Sequence, residues 1–460
     1  MTVDTIVEGG RVVTPTDVAE RSVAIDDGGI VAVGAADSLP DAREVVDASG
    51  AVVVPGVVDP HVHVDEVPEN RAGTYEAETA AAALGGVTTF VDFAFQGRDR
   101  PATDPGAPLV DGIEHKRSRA DRVHVDFGLH GVLRREERES LDELAAAVDA
   151  GVTSFKMFRS TYPIGVSNGF INAAFRRIAD LDAVALVHTE NPSVCEWETE
   201  RLQRAGRGDP TDYPDSRPDY AEAMAAEDAA RMAVETGVNY YGVHTTCRAA
   251  ADVLESFQDD GSTVRAETCT HYTALTRAAH EEHGNYPLIA PPLRTADDRD
   301  AMFEHLERGT LSVVSTDHSV YHRSYKEVDD WWEAPFGANS IQYSLPVFHE
   351  VAVERRGYSL PFLVRTMCTN PARTFGMPEK GTLEPGTDAD LVVLDPDGGS
   401  PVDAADNASN ATFSIYDGFD VSAAVRDTFV RGQRVVADGE LVGEPGDGRF
   451  LERDLPDWSV

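Results

Sequence analysis

The sequence predicts an α/β protein built as a (β/α)8 TIM-like barrel, with a small β-sandwich domain formed by both chain termini. The length of 460 residues suits one large barrel with an appendage. In the middle of the chain, apolar runs typical of strands alternate with Ala- and Glu-rich segments of helical period. At both ends, β-branched runs are broken by Gly and Asp turns, which predicts short strands that pair into one β domain.

Eight strand-like runs make up the predicted barrel. Segments such as "AETAAAALGG" and "SLDELAAAVDAG" carry the helical period between them. An open doubly wound sheet also alternates strands with helices, so it is the alternative architecture. We predict the barrel at residues 55–381 and the β-sandwich at 1–54 and 382–460. The eight runs are "VVVPGVVDPHVH", "VTTFVDFA", "VHVDFGLHGV", "VTSFKMF", "AVALVHTE", "VNYYGVHTT", "TVRAETCTH" and "LSVVSTDH".

Charge is the strongest compositional signal. Asp and Glu number 80 against 40 basic residues, of which only four are lysines, and the formal net charge is −40. This charge argues against nucleic acid and anionic membranes as partners. The acids are spread through apolar, Gly- and Pro-punctuated sequence, which favours a solvated acidic coat over a disordered tail. Such a coat is tolerated when salt shortens the Debye length to about 3 Å at 1 M. We therefore expect a halophilic protein, and the scarcity of lysine predicts a haloarchaeal one.

The compartment predicted from the sequence is the cytoplasm. No run approaches the roughly 18 apolar residues of a membrane span. The N-terminal "MTVDTIVEGG" has no basic region and no long apolar region, so we expect no secretory signal. The four cysteines show no paired spacing, which indicates reduced thiols.

Potential metal ligands end five of the eight runs. The C-terminal ends of barrel strands face the active site, and residues two apart on a strand share a face, so His61 and His63 could hold one ion together. A single histidine at such a place could be a hydrogen-bonded core residue. Four histidines at one mouth, with a carboxylate, instead favour zinc or a neighbouring divalent ion. These residues are His61, His63, Lys156, His188, His244 and Asp317.

Lys156 differs from the other five because an ammonium has no lone pair and cannot ligate a cation. On position alone, a structural salt bridge is an equal alternative. Burial beside metal ions would favour the neutral amine. A neutral amine can add carbon dioxide to form a carbamate, whose two oxygens can bridge two metals.

Several motifs resemble the cyclic amidohydrolases of the dihydropyrimidinase and hydantoinase group, which belong to the amidohydrolase superfamily. The resemblance runs through the whole barrel and on through "TNPARTFGMPEKGTLEPGTDADLVVLDP". The histidine pair alone would be a weak signal, but the motifs together are specific. They are "PGVVDPHVH", "SFKMF", "LVHTEN", "GVHTT", "AETCTHY", "APPLR" and "VSTDH".

The resemblance implies a site with two divalent ions, usually zinc. His61, His63 and Asp317 would hold the first ion, and His188 and His244 the second. Lys156, carboxylated by carbon dioxide, would bridge the ions together with a hydroxide. Asp317 would also be the catalytic residue that carries a proton to the leaving nitrogen. A small cyclic amide is the implied substrate, and the implied assembly is a homo-oligomer, a dimer or a tetramer.

The sequence departs from the family pattern around the substrate. The family tyrosine follows the lysine by five residues, where this chain has Thr161, so Tyr162 can bind substrate only if the loop is one residue longer. Asp65 replaces the arginine that grips a carboxylate in dihydroorotases, which disfavours that activity. Ala290 and Phe336 replace a serine and an asparagine. The "DDWWEAPF" loop is either a pocket wall or a subunit contact.

The function predicted from the sequence is therefore the hydrolytic opening of a cyclic amide or ureide ring of hydantoin or dihydropyrimidine type. An allantoinase- or dihydroorotase-like enzyme with the same site is the alternative. A non-catalytic scaffold of the dihydropyrimidinase type is the third hypothesis. It is disfavoured because all six ligand positions are present.

Overall fold

The computed structural model describes residues 2–65, 72–98, 102, 104–258 and 263–458. The strands in these ranges are β1 (Thr2–Val13), β2 (Val18–Asp26), β3 (Gly29–Gly34), β4 (Asp41–Asp47), β5 (Val52–Pro55), β6 (Val57–Asp59), β7 (Val62–His63), β8 (Val87–Phe95), β9 (Asp126–Val132), β10 (Ser154–Arg159), β11 (Val184–Thr189), β12 (Asn239–Gly242), β13 (Val264–Cys269), β14 (Val313–Ser315), β15 (His318–Ser319), β16 (Leu391–Asp395), β17 (Ala424–Val430), β18 (Gln433–Ala437) and β19 (Glu440–Leu441).

The α-helices in the same ranges are α1 (Tyr75–Leu84), α2 (Leu109–Arg117), α3 (Arg138–Asp142), α4 (Leu144–Asp149), α5 (Asn168–Ala179), α6 (Pro192–Arg204), α7 (Asp219–Thr236), α8 (Arg248–Glu255), α9 (Thr270–Ala274), α10 (Ala279–His283), α11 (Ala296–Arg308), α12 (Arg323–Lys326), α13 (Ser344–Phe348), α14 (Leu360–Val364) and α15 (Asn370–Thr374). Several begin at the caps that their sequences predict. The Ser167 hydroxyl accepts from the Phe170 amide at the start of α5, and Thr295 and Asp298 form a capping box at the start of α11.

The central sheet is an almost closed barrel of eight parallel strands, in the order β6, β8, β9, β10, β11, β12, β13 and β14. These strands are buried along most of their length, and all nine residues of β8 are buried. Continuous burial explains why the strands appear in the sequence as apolar runs rather than alternating ones. The spatial order follows the chain order throughout, whereas a doubly wound sheet would reverse at a switch point. The predicted barrel is confirmed.

The seam of the barrel lies between β6 and β14, the first and last strands. It is bridged by the short parallel pair of β7 with β15, in which Ser319 lies opposite His63. The buried Asp59 carboxylate adds a second link, because it accepts from the Thr316 hydroxyl at 2.5 Å and from the Thr316 amide at 3.2 Å. Burial raises the pKa of Asp59 to about 7. These contacts bring the ends of the first and eighth strands side by side.

A second, mixed sheet combines the two termini. Its order is β19, β18, β17, β16, β5, β1, β2 and β3, and β4 also pairs with β1. The antiparallel pairing of β16 with β5, which places Val392 opposite Val54, joins the C-terminal half of this sheet to the N-terminal half. The prediction that both termini build one β domain is confirmed. Its predicted limits, 1–54 with 382–460, stay a prediction.

The opening valine run is divided between the two sheets, which differs from the sequence prediction that it forms one barrel strand. Val52–Pro55 belongs to the mixed sheet, and Val57–Asp59 is the first barrel strand. Gly56 lies between them. A Cβ atom at this position would lie 2.0 Å from the Thr88 hydroxyl, so only glycine allows the chain to pass from one sheet to the other.

All four lysines are buried, although lysine is usually a surface residue. Lys116 donates to Asp92 at 2.8 Å, Lys326 to the Leu288 carbonyl at 2.8 Å, and Lys380 to Asp126 at 2.7 Å. Basic residues on the described surface are therefore arginines or histidines. The four cysteines are buried and unpaired. Among the described residues, no helix has the length and hydropathy needed to cross a bilayer.

We expect the protein to unfold at a higher temperature as salt increases from low ionic strength to molar KCl. The net charge of −40 repels itself, and ions at 1 M screen that repulsion beyond about 3 Å. Thermal unfolding followed by circular dichroism in a KCl series measures the shift. Sucrose at matched osmolality is the control for solute exclusion. An unfolding midpoint that is constant across the KCl series would contradict the proposed adaptation to salt.

Candidate active site

A pocket at the C-terminal mouth of the barrel contains every residue that was predicted to bind metal. It also contains Tyr162, the predicted substrate-binding residue. The strands β7, β10 and β11 supply His63, Lys156 and His188 directly. The residues that line the pocket are His61, His63, Lys156, Phe158, Tyr162, His188, His244, Ile289, Ala290, Asp317, Ser319, Phe336 and Gly337.

Three histidines, His61, His63 and His244, lie close to the carboxylate of Asp317. His61 Nε2 lies 3.2 Å from Asp317 Oδ1, and His63 Nε2 lies 3.3 Å from the same oxygen. His61, His244 and Asp317 each also contribute one ligand atom to a cluster in which these three atoms all lie within 4.8 Å of one another. Nitrogen and carboxylate donors at such spacing are suited to a divalent ion.

A second pair of donors lies beside this group. His188 Nδ1 is 2.9 Å from His244 Nε2, and the two ring centroids are 4.6 Å apart. The ring of His244 also stacks on that of His61 at 5.3 Å. Two clusters of donors thus share one pocket, with His244 between them.

His244 and Asp317 reach the pocket through unusual backbone geometry. Each follows the end of its barrel strand by two residues, and their φ angles are +38° and +45°. Left-handed conformations are uncommon for residues other than glycine and cost free energy, and they concentrate at functional sites. The turn directs both side chains into the mouth of the barrel. Apolar periodicity cannot reveal such a turn.

Two buried glutamates orient the imidazoles. Glu267 Oε1 accepts from His61 Nδ1 at 2.5 Å, and Tyr241 donates to the other oxygen of Glu267 at 2.9 Å. Glu190 Oε2 likewise accepts from His188 Nε2 at 2.8 Å. Because a neutral imidazole has a single N–H, the nitrogen that faces the pocket in each ring keeps its lone pair. Burial lowers the pKa of His61, His188 and His244, which favours that neutral form.

Sequence reasoning missed both glutamates as functional residues. They occur inside the quoted motifs "LVHTEN" and "AETCTHY", but their role depends on which histidine lies across the barrel. Glu190 is two residues from His188 in the chain, whereas Glu267 is 206 residues from His61. Only the first pairing could have been inferred from local spacing.

Arg217 contacts three residues around the pocket, and sequence reasoning did not identify it as a functional residue. Its guanidinium donates to Glu190 Oε2 at 2.6 Å and to the Thr161 hydroxyl at 3.3 Å. It also lies over the ring of Phe336, 4.9 Å from the centroid. Arg217 therefore connects the glutamate behind His188 to the loop that carries Tyr162.

Tyr162, rather than Thr161, faces the pocket. Its ring lies 5.4 Å from that of His188 and 6.4 Å from that of Phe336. Thr161 is turned toward Arg217 instead. The loop therefore accommodates the additional residue that separates this tyrosine from Lys156.

Lys156 is fully buried in the pocket wall, on β10. Its Nζ atom is 5.5 Å from the ring centroid of Phe93 and 5.2 Å from that of Phe158. Its positive charge contributes to lowering the pKa of His61, after burial. A cationic side chain here would repel a metal ion held by the neighbouring histidines, so the donor set fits divalent ions only if the amine is neutral or modified.

The remaining positions singled out in the sequence differ in their roles. Asp65 is not among the pocket-lining residues that the structure describes, and its Oδ1 lies 3.9 Å from Lys116 Nζ. The prediction that Asp65 disfavours dihydroorotase activity stays a prediction. Ala290 and Phe336 do line the pocket.

The aromatic loop forms a wall and its support. Phe336 stacks on Tyr213 with centroids 5.2 Å apart, and the buried Trp331 also packs against Tyr213 at 5.2 Å. Trp331 also donates to the Arg207 carbonyl at 3.0 Å. A buried tryptophan with these contacts supports the pocket wall and is not a surface available to another subunit.

Comparison with known proteins gives consistent similarities along the whole chain. Residues 52–435 match the Amidohydrolase family. An L-hydantoinase of Paenarthrobacter aurescens is 33% identical over 459 residues, which cover 98% of each chain. A D-hydantoinase of Streptomyces coelicolor is 34% identical over 471 residues, again 98% of each chain. A solved dihydropyrimidinase from Brevibacillus agri superposes with a TM-score of 0.93 at 29% identity, over 98% of this chain and 99% of that one. Similar proteins also include allantoinases.

We expect Arg217→Met to weaken divalent-ion binding by roughly 10- to 100-fold, the usual effect of removing a group that orients a ligand. The variant leaves Glu190 without its guanidinium partner and frees the Thr161 loop. Arg217→Lys keeps the charge but cannot span both contacts, so we expect an intermediate loss. Competition with a chelator measures the affinity. Arg231→Met, which removes an exposed ion pair with Glu227, is the matched control. Equal affinities in all three variants would contradict the orienting role.

Proposed function

Because this chain belongs to the amidohydrolase family, we propose that it is a hydrolase that opens a cyclic amide or ureide ring of hydantoin or dihydropyrimidine type. The observation that carries the proposal is a single pocket lined by four histidines, one aspartate, one lysine and one tyrosine at the barrel mouth. The similarity to hydantoinases over nearly the whole chain supports the same reaction class. The similarity to allantoinases makes an allantoin-type ring the second candidate.

We propose two divalent ions in this pocket, with zinc as the expected metal. His61, His63 and Asp317 would hold the first, and His188 and His244 the second. The orientation of the imidazoles by Glu267 and Glu190 supports this assignment, because it presents lone pairs to the pocket. When bound, such ions supply a water of lowered pKa and polarise a carbonyl.

We propose that Lys156 is present as a carbamate. The ammonium first loses a proton. The neutral amine then forms an N–C bond to carbon dioxide and loses a second proton, so a group of charge +1 becomes one of charge −1. The burial of Nζ among imidazoles supports this, because an ammonium there opposes cations, whereas a carbamate provides two oxygen donors.

The chain's own residues move protons and orient the ring. Asp317 can take a proton from the attacking water at its carboxylate and deliver it to the ring nitrogen as the C–N bond breaks. The Tyr162 hydroxyl would donate to the carbonyl oxygen as negative charge develops on it. Phe158, Ile289 and Phe336 form an apolar wall that limits access of bulk water. The product carries a new carboxylate and a freed nitrogen.

We further propose that the enzyme works in the cytoplasm of a salt-accumulating cell and forms a homo-oligomer. The acidic charge and the absence of lysine from the described surface support the first part. Exposed large side chains on α6 and α7 support the second. Trp197 is 69% exposed, Tyr220 51% and Met224 48%.

Assays on four rings test the proposed function. We expect the purified protein, at molar KCl with zinc, to open hydantoin or dihydrouracil faster than allantoin or dihydroorotate. A preference for allantoin would move the assignment to the second candidate. Hydrolysis of none of the four rings would contradict the proposal.

We expect Asp317→Asn to keep most of its metal yet lose turnover by roughly 10²- to 10⁴-fold, the usual contribution of general acid–base catalysis. The amide retains an oxygen that can ligate but cannot accept and return a proton as a carboxylate does. Metal content and turnover are measured on the same sample. Asp65→Asn, a buried acid outside the pocket lining, is the control. Near-normal turnover in Asp317→Asn would exclude the proton-transfer role.

A further inference from the structure

The C-terminal segment, residues 449–458, closes the end of the barrel opposite the pocket. The Phe127 amide donates to the Arg449 carbonyl at 3.0 Å, and the Leu451 amide donates back to the Phe127 carbonyl at 2.8 Å. The Arg453 amide then donates to the Gly151 carbonyl at 3.0 Å. The segment is thus bonded to the first residues of β9 and to the turn before β10.

The barrel is shaped to admit one side chain of this segment. Arg453 is 4% exposed. A Cβ atom at Gly128, within β9, would lie 3.0 Å from both Cδ and Nε of Arg453. At Gly376 a Cβ atom would lie 1.8 Å from the Asp454 carbonyl oxygen. The absence of side chains at these two glycines provides the space that the arginine and the following residue occupy.

From Arg453, a line of hydrogen bonds leads through the barrel toward the pocket. Arg453 Nη2 donates to the Ser154 hydroxyl at 2.7 Å. The Ser154 oxygen lies 2.6 Å from His130 Nδ1. His130 Nε2 lies 2.8 Å from the carbonyl oxygen of Pro60, the residue before His61.

The direction of each bond in this relay follows from the chemistry of its ends. A guanidinium can only donate, so the Ser154 oxygen accepts from it, and the Ser154 proton remains available for His130. A carbonyl can only accept, so the Pro60 oxygen takes the proton of His130 Nε2. A neutral His130 satisfies both requirements, with its N–H on Nε2 and its lone pair on Nδ1. Burial lowers the pKa of His130 well below its ordinary value, which agrees with the neutral form.

The same histidine also packs toward the site. Its ring lies 5.0 Å from that of Phe93, and the Phe93 ring also lies 5.2 Å from that of His61 and 4.3 Å from that of His63. A displacement of His130 would therefore reach the two histidines of "HVH" both through the Pro60 carbonyl and through Phe93.

We propose that Arg453 is a positioning residue, which sets the place of His61 through Ser154, His130 and the Pro60 carbonyl. The C-terminal segment is then part of the active site's support as well as a cover for the bottom of the barrel. This inference rests on the proposed function insofar as it treats His61 as a metal ligand. The hydrogen-bond relay itself does not depend on a bound metal.

Zinc affinity, measured by competition with a chelator, tests the effect on the site. We expect Arg453→Met and Ser154→Ala each to weaken zinc binding roughly tenfold. The zinc affinity of the double variant should equal that of the more weakly binding single variant, because both substitutions remove the same relay. Arg453→Lys should restore part of the affinity. Trp458→Phe, which removes the bond from Trp458 Nε1 to the Thr374 carbonyl in the same segment, should leave affinity unchanged. Wild-type affinity in both single variants would overturn the proposal, and so would additive losses in the double variant.

Imidazole ¹⁵N NMR of the full-length protein tests the relay without relying on metal. We expect His130 in the wild type to carry its proton on Nε2 and its Nδ1 resonance to be shifted by the hydrogen bond from Ser154. In Ser154→Ala the Nδ1 shift should be lost, while the proton stays on Nε2 because the Pro60 carbonyl still accepts it. If the wild type binds no zinc but shows this pattern, the proposed metal site fails and the relay stands. A proton on Nδ1 in the wild type, or an unchanged spectrum in Ser154→Ala, would overturn the relay whatever the zinc result. Ser154→Ala carries both measurements if Arg453→Met does not fold.

Discussion

The hydrogen bonds from buried imidazoles to buried glutamates are the interactions on which the rest of the site depends. A neutral imidazole has one N–H, and Glu267 and Glu190 each accept that proton on the side away from the pocket. The lone pairs of His61 and His188 are thereby directed at a shared space. Without these glutamates each ring could rotate or change tautomer, and the donors would no longer converge.

The barrel fold brings together strand ends that are distant in the chain. Glu267 lies 206 residues from His61. Asp59 lies 257 residues from Thr316, and its bonds join the first strand to the eighth. An error of one residue in the register of either strand would move His61 away from Asp317, because alternate side chains point to opposite faces. The barrel seam and the proposed metal site therefore depend on the same strand register.

Much of this arrangement could be predicted from the sequence. Buried parallel strands produce apolar runs, and their C-terminal ends mark the site, so the order of the barrel strands and the placement of His188 followed directly. The partners of these residues could not be predicted in the same way. The glutamate behind His61 and the relay from Arg453 depend on side chains from distant strands, which one sequence does not reveal. The left-handed backbone at His244 and Asp317 leaves no periodic signal, and the division of the valine run at Gly56 depends on contact with Thr88.

Diffraction from crystals of the purified enzyme at the zinc absorption edge would test the two-metal site and the carbamate in one experiment, because it locates ions and shows the chemical state of Lys156. We expect two anomalous peaks in the pocket, one about 2.0–2.1 Å from nitrogen atoms of His61 and His63 and the other at that distance from His188 and His244. We also expect density that continues from Lys156 Nζ to both peaks. A single peak, no peak, or a plain amine at Lys156 in crystals of active enzyme would contradict the proposed site.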